Sequence, residues 1–218
     1  MKIEEFKKIG GLMFQQGLVD SHSGNLSIRD GDKIYITKRD SMLGEIEVGN
    51  IVEVGINAGE GEETASRELP VHRAIYKETG AQAIVHAHPI SAIAISLTDN
   101  KIVPQDAEGL YVFKSASIVR VHNPIGSEES ARLLPSFLQT NVIAVIKGHG
   151  SFAVGKTLEE AYKYTSSLEN SCKILVAVRS SQGASVKPAP QKEKNDWRTS
   201  RSAIPPGIGV MDRSRYKR

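Results

Sequence analysis

A single cysteine, Cys172, stands among 218 residues. One thiol excludes an intramolecular disulfide framework and a four-cysteine zinc site, and makes a reducing cytoplasm the expected compartment. No apolar run approaches the roughly 18 residues that a membrane-spanning helix needs. The opening residues, MKIEEFKKIG, mix acids with bases and lack the apolar core of a signal peptide. There is no internal repeat. Charge of one sign is also missing: 28 Lys and Arg against 25 Asp and Glu leave +3. What remains is an ordinary globular composition, 39% hydrophobic and 24% charged, long enough for one generous domain with or without a tail.

The small net charge is unevenly spread. Residues 187–218 hold nine Lys/Arg and three Asp/Glu, a net of +6, leaving 19 bases and 22 acids, a net of −3, in residues 1–186. A basic tail is able to bind nucleic acid or an anionic surface. This one also carries prolines, the chain's only tryptophan, Trp197, and the apolar stretch 204–211, which a disordered tail lacks. Residues 1–186 are therefore expected to form the domain. Residues 187–218 are expected to be a basic extension packed on the body or on a neighbouring subunit. Nucleic acid is not an expected partner.

Ile3, Phe6, Ile9 or Gly10, and Met13 recur at helical spacing and predict an amphipathic first helix over 3–16. Residues 26–29 alternate as a strand, and Asp30-Gly31-Asp32 turns into a second strand over 33–37. Short strands are predicted at 51–54, 83–86, 111–113, 117–120 and 142–146. Helices are predicted at 69–78, at 90–96 after Pro89, and at 127–138 with acids in the first turn. Thr157 and Glu160 form a capping box for a last long helix. Helices alternating with short strands and a hairpin point to a layered α/β domain around a mixed or antiparallel sheet.

Three of the six histidines occupy informative places. His86 and His88 end a buried apolar run as His-Ala-His, and residues two apart in a strand face the same side. His149 ends another apolar run between two glycines, which let the backbone turn sharply and a ligand approach. If the two strands ended side by side, three imidazoles would meet, and three histidines with an open position make a catalytic zinc site. Neutral imidazole serves cobalt or nickel as well. Glu68 stands just before Pro70 and the helix at 69–78, where the dipole favours a carboxylate; taken alone, helix capping explains it. Ser23-Gly24-Asn25 is a polar turn able to offer N–H groups to a phosphate, or an ordinary Asx turn.

In chain order these pieces resemble the class II aldolase/adducin family. The matching segments are Ser23-Gly24-Asn25-Leu26-Ser27-Ile28-Arg29, Ile36-Thr37, Glu68 with His72-Arg73-Ala74-Ile75-Tyr76, His86-Ala87-His88-Pro89, Gly126-Ser127-Glu128-Glu129 and Gly148-His149-Gly150 with the following helix. The resemblance covers about residues 3–180. It implies a three-layer α/β/α sandwich around a mixed, largely antiparallel sheet, and a homotetramer with sites between adjacent subunits. It implies Zn2+, or another divalent transition metal, on His86, His88 and His149. It further implies Glu68 as the catalytic acid/base, and Gly24, Asn25 and Ser66 around the phosphate of a small phosphorylated sugar. The activity implied is that of an aldehyde-lyase: a phosphorylated ketose, of the fuculose 1-phosphate kind, is cleaved to dihydroxyacetone phosphate and an aldehyde.

Three positions depart from the pattern of such aldolases. Arg39-Asp40 stands where they usually carry Thr-Gly. Ser66-Arg67 stands where they carry Ser-Ser. His122 stands where they carry tyrosine. Arg39 and Arg67 are suited to bidentate bonds with a phosphate or a carboxylate, or Arg39 pairs with Asp40. His122 is suited to replace the phenol as a proton donor. The alternatives are a sugar-phosphate 4-epimerase or a dehydratase on the same metal site, and a metal-free adducin-like binding protein. Glu68 favours aldolase over epimerase, and the three histidines disfavour the metal-free branch.

Overall fold

The computed structural model describes residues 3–59 and 62–183. The expectation for residues 187–218 lies outside the described residues. Helix α1 (Ile3–Gln15) buries Phe6, Ile9, Gly10 and Met13 on one face, as its spacing predicts. Strands β1 (Asn25–Asp30) and β2 (Lys33–Thr37) form a hairpin, and β3 (Ile51–Gly55) pairs antiparallel with β2. Helix α2 (Leu69–Glu78) carries a proline in its first turn. Strand β4 (Ala83–Ala87) is buried at every position and runs almost directly into α3 (Ile90–Thr98). Then follow β5 (Lys101–Ile102), α4 (Ala107–Val112), β6 (Ala116–Val119), α5 (Glu128–Leu138), β7 (Ile143–Ile146), β8 (Gly150–Gly155) and the long α6 (Leu158–Gly183).

The strands make one sheet in the order β3-β2-β1-β4-β8-β7-β6-β5. Among the described residues only β6 and β7 run parallel. Alternate side chains of the central strands feed two cores. Ala83, Val85 and Val145 join Ile9 of α1, Ile95 of α3 and Leu168 of α6. Ile84, Ile146 and Phe152 join Ile75 of α2 and Leu134 of α5. This is the expected three-layer α/β/α sandwich around a mixed, largely antiparallel sheet. Burying a large apolar side chain is worth roughly 1.5–3 kcal/mol. Val85 and Val145 on one face and Ile84 and Phe152 on the other are all 0% exposed, so both faces hold the sheet.

Three sequence readings are corrected. Residues 111–113 are not a strand. Asp106 caps α4 by accepting from Gly109 N at 2.7 Å, and this cap overrides the β preference of Tyr-Val-Phe. Strands β4 and β7 are not neighbours: β8, which went unread, lies between them and pairs with both. Its four residues between Gly150 and Gly155 are too few to stand out as a periodic run. The capping box of α6 is also shifted. Thr157 Oγ1 accepts from Glu160 N at 3.1 Å, but Glu160 accepts from Lys156 N at 2.7 Å.

Beneath the sheet Ser27 Oγ lies 2.7 Å from both His72 Nδ1 and Tyr76 Oη. Burial of His72 disfavours its charge and pulls it from 6.5 to about 3. As pH falls below about 6.5 the unfolded chain takes up this proton first, so the stability His72 confers is lost progressively down to about pH 3. The melting temperature is expected to fall between pH 7.5 and 5, and less steeply in His72→Phe, which lacks the titrating ring. Equal slopes would trace the acid lability to other groups.

Candidate metal centre

The antiparallel pairing of β4 with β8 sets His86 opposite Phe152 and Ala87 opposite Ser151. The turn from β7 into β8 therefore passes beside His88 and carries His149. Gly148 in that turn has φ of +70°, which a side chain disfavours. At Gly150 a Cβ would run into the Ala87 carbonyl and the His88 ring. The Gly-His-Gly sequence is thus required by the turn on one side and by close strand packing on the other.

The three rings form a near-equilateral triangle, with centroids 4.9, 4.8 and 5.0 Å apart. One ligand atom from each lies within 4.8 Å of the others. His86 Nδ1 sits 3.0 Å from the Ser151 carbonyl. A carbonyl only accepts, so Nδ1 carries the proton and Nε2 keeps its lone pair, 3.0 Å from His88 Nε2. Phe152 stacks under His86 with centroids 4.1 Å apart. Burial holds His86 well below its ordinary value, lowers His88, and takes His149 down to about 4, with His88 beside it contributing. At neutral pH all three are uncharged and able to donate lone pairs. His149 Nδ1 is buried with no partner among the described residues. The donor set fits a transition metal: three converging neutral imidazoles, one of them with a buried ring nitrogen unpartnered among the described residues.

Glu68 occupies the N-cap position of α2, yet its side chain makes no capping bond, so the capping explanation fails. Its Oε1 accepts from Gly126 N at 2.8 Å. Its Oε2 is buried and unpartnered among the described residues. Ser66 Oγ accepts from Glu68 N at 3.2 Å and steadies the backbone there. Burial raises the Glu68 carboxyl to about 7, against the opposing effect of the Gly126 N–H. The 3.8 Å approach of Oε1 to His149 Nε2 is therefore not an ion pair at neutral pH: burial drives both groups toward their uncharged forms.

One cavity of about 220 Å3 brings together the three histidines, Glu68, Gly24, Asn25, Ser66, Arg39 and Arg67. Asn25 is 5% exposed with Oδ1 unpartnered among the described residues. Arg39 and Arg67 are exposed at the rim, and no Arg39–Asp40 ion pair is present among the described residues. His122 does not line this cavity. Its side chain is 96% exposed, and Glu129 accepts from its backbone N at 2.8 Å. Sequence reasoning missed His22, Lys38 and Ile125 in the lining. His22 lay within the polar turn already singled out, and Lys38 beside Arg39; Ile125 carried no signal.

Three neutral imidazoles facing a protonatable carboxylate across one cavity define a class of centre: a transition-metal site with a group beside it able to move a proton. The chain belongs to the Class II Aldolase and Adducin N-terminal domain family, whose model matches residues 4–176. It is 35% identical over 170 residues to an L-fuculose phosphate aldolase of Methanococcus maripaludis (strain C7), covering 78% of this chain and 93% of that one. It is similar to the crystal structure of l-fuculose-1-phosphate aldolase from Thermus thermophilus, with a TM-score of 0.82 and 34% identity, covering 84% of this chain and 97% of that one. A methylthioribulose-1-phosphate dehydratase of Acidiphilium cryptum (strain JF-5) is 29% identical over 182 residues, 77% of this chain and 86% of the relative. Class II aldolases depend on a divalent metal, and the histidine cluster fits one.

Protein loaded with Zn2+ or Co2+ and freed of excess is expected to retain about one ion per chain, the number one three-histidine site accepts. His88→Ala is expected to lose most of it while keeping its far-UV circular dichroism. Undiminished metal content in folded His88→Ala would rule the centre out.

Proposed function

We propose that this chain is a metal-dependent aldehyde-lyase that cleaves a phosphorylated ketose of the fuculose 1-phosphate type to dihydroxyacetone phosphate and an aldehyde. The observation that carries this reading is Glu68: a carboxyl 3% exposed, with a free buried oxygen, sharing one cavity with three converging imidazoles. A divalent cation, Zn2+ or another transition metal, held by His86, His88 and His149 would supply Lewis acidity toward the substrate's carbonyl and hydroxyl oxygens.

The remaining work falls to the chain. Cleavage breaks the C3–C4 bond and leaves its electron pair on C3, while the C4 hydroxyl loses its proton as C4 becomes the aldehyde carbon. C3 must then gain a proton. Burial raises the Glu68 carboxyl toward protonation, and the unpartnered Oε2 is the atom free to deliver the proton to C3. In the reverse direction the ionised form takes the C3 proton of dihydroxyacetone phosphate. Gly24, Asn25 and Ser66 hold the phosphate from the cavity wall, and Arg39 and Arg67 approach it, or a carboxylate, from the rim. His122 serves the aldehyde end, accepting the C4 hydroxyl proton in cleavage and returning it in synthesis. Its exposure and its distance from the lining suit delivery from a neighbouring subunit of a cytoplasmic homotetramer. Exposed apolar side chains such as Ile90 and Tyr111, 72% and 85% exposed, support such an assembly.

A dehydratase on the same centre is the second reading, favoured by the 29% identity to a dehydratase. Metal-loaded protein offered fuculose, ribulose and xylulose 1-phosphates, and separately methylthioribulose 1-phosphate, separates the two by product. Dihydroxyacetone phosphate is expected from at least one ketose phosphate. Glu68→Gln is expected to keep its metal and lose about 10²–10⁴-fold in turnover. C3 proton exchange at the wild-type rate in Glu68→Gln would give the carboxylate another role.

A further inference from the structure

Helix α3 joins the two arms of the histidine triangle. It begins two residues after His88, and its last turn lies against the turn that carries His149. Its N-terminus is an unusual one. The cap position is Pro89, which has no side-chain acceptor, so the first N–H groups cannot be satisfied locally. The acceptor comes from α6 instead. Glu169, 3% exposed, accepts from Ser91 N at 3.2 and 3.1 Å and from Ala92 N at 3.2 Å. Among the described residues the cation paired with it is Lys173, with Nζ at 3.9 Å. A carboxylate buried in this way is costly unless satisfied, and two helix N–H groups beside the positive end of the dipole satisfy it.

At the other end stands Ser96, 0% exposed. Its hydroxyl donates to Ile93 O at 2.6 Å and accepts from Gly148 N at 3.0 Å. A buried serine inside a helix has no packing advantage over alanine and forgoes helix propensity. Its acceptor role toward Gly148 accounts for it. That N–H belongs to the residue just before His149, in the left-handed conformation that turns the chain into β8. The His88 backbone is pinned as well, donating from N to Leu18 O at 2.8 Å.

We propose that Glu169 and Ser96 are positioning residues for the metal centre, making α3 a spacer that sets His149 relative to His88. The proposal rests on the metal reading of the three histidines. Glu169 fixes the start of α3 on the stable scaffold of α6. Ser96 transfers that position to the Lys147–Gly148 peptide unit, one unit before His149. Without the hydroxyl the turn keeps its own His149 N to Ile146 O bond at 3.1 Å but loses its tether to α3, and the third imidazole samples orientations that no longer converge with the other two. Partners that orient ligands in this way typically contribute 10–100-fold to metal affinity.

Co2+ is a suitable probe, because chelator competition reads its affinity and its visible absorption reads its coordination geometry. Ser96→Ala is expected to weaken Co2+ binding about 10–100-fold and to alter the visible spectrum. Glu169→Gln, which keeps one acceptor oxygen, is expected to do the same to a smaller extent, and it carries the test should Ser96→Ala fail to fold. Ile95→Val, on the buried face of the same helix, lowers stability without touching either hydrogen bond and is expected to bind Co2+ within about twofold of wild type. Wild-type protein that binds no Co2+ would overturn the metal reading, and this proposal with it. Wild-type affinity and spectrum in folded Ser96→Ala and Glu169→Gln would leave the metal reading standing and overturn the spacer.

Discussion

The pairing of β8 with β4 is the interaction on which the rest of the centre depends. Neither of the strands that carry histidine at their ends, β4 and β7, touches the other. Only the intervening strand, starting at Gly150 hard against the Ala87 carbonyl, brings the His149 turn beside His86 and His88. The same register delivers two further parts. It puts the Ser151 carbonyl on His86 Nδ1, which selects the tautomer, and the Phe152 ring under the imidazole, which holds its plane. A one-residue slip would turn Phe152 to the opposite face of the sheet and remove both at once.

Burial then sets the charge state of the three histidines and Glu68. It lowers the histidines and raises Glu68, so opposite kinds of group are driven toward the same neutral condition. Neutral imidazole is the form that binds metal, so protons do not compete for the site near pH 7. The value of about 7 for Glu68 belongs to the chain alone. A dication on the three histidines would favour the carboxylate and bring that value down. The poise of the group is therefore a balance between desolvation by the fold and the charge of the ion, with the Gly126 N–H already helping on the ion's side.

Much of the fold was legible where local chemistry agreed with tertiary packing. The α1 stripe, the first hairpin, α2 behind Pro70 and the apolar run of β4 all follow from periodicity and turn residues. What escaped was short or contradictory. Strand β8 offers four residues between glycines, and its assignment depends on pairing with two distant strands. Tyr111-Val112-Phe113 favours a strand by composition, and one aspartate cap decides otherwise. At the site, His86-Ala87-His88 and Gly148-His149-Gly150 were readable because each spacing has a stereochemical reason. Glu68 was not readable from its neighbours alone: its helix-terminal place suggests a cap, and only the fold shows the side chain turned away from that duty. Ser96 and Glu169 gave no sign at all, since serine and glutamate inside helices are ordinary until their distant partners are known.

The cavity also divides by exposure. Its floor, with His86, Glu68, Asn25 and Ser66, is buried and bonded into the sheet and the start of α2. Its rim, with Arg39 and Arg67, is exposed and hangs on loops. A change in the floor disturbs packed neighbours and buried polar groups, which is costly to the fold. A change in the rim costs the fold little, because exposed long side chains contribute little to stability. The backbone at Asp40, with φ of +57°, belongs to this rim, in a conformation that aspartate tolerates better than most residues. The substrate contacts proposed for Arg39 and Arg67 thus fall in the part of the cavity that tolerates substitution, and the proposed proton transfer, metal and phosphate contacts in the part that does not. That division also places two departures of this chain, Arg39 and Arg67, on the exposed rim, apart from the buried floor that holds His86 and Glu68.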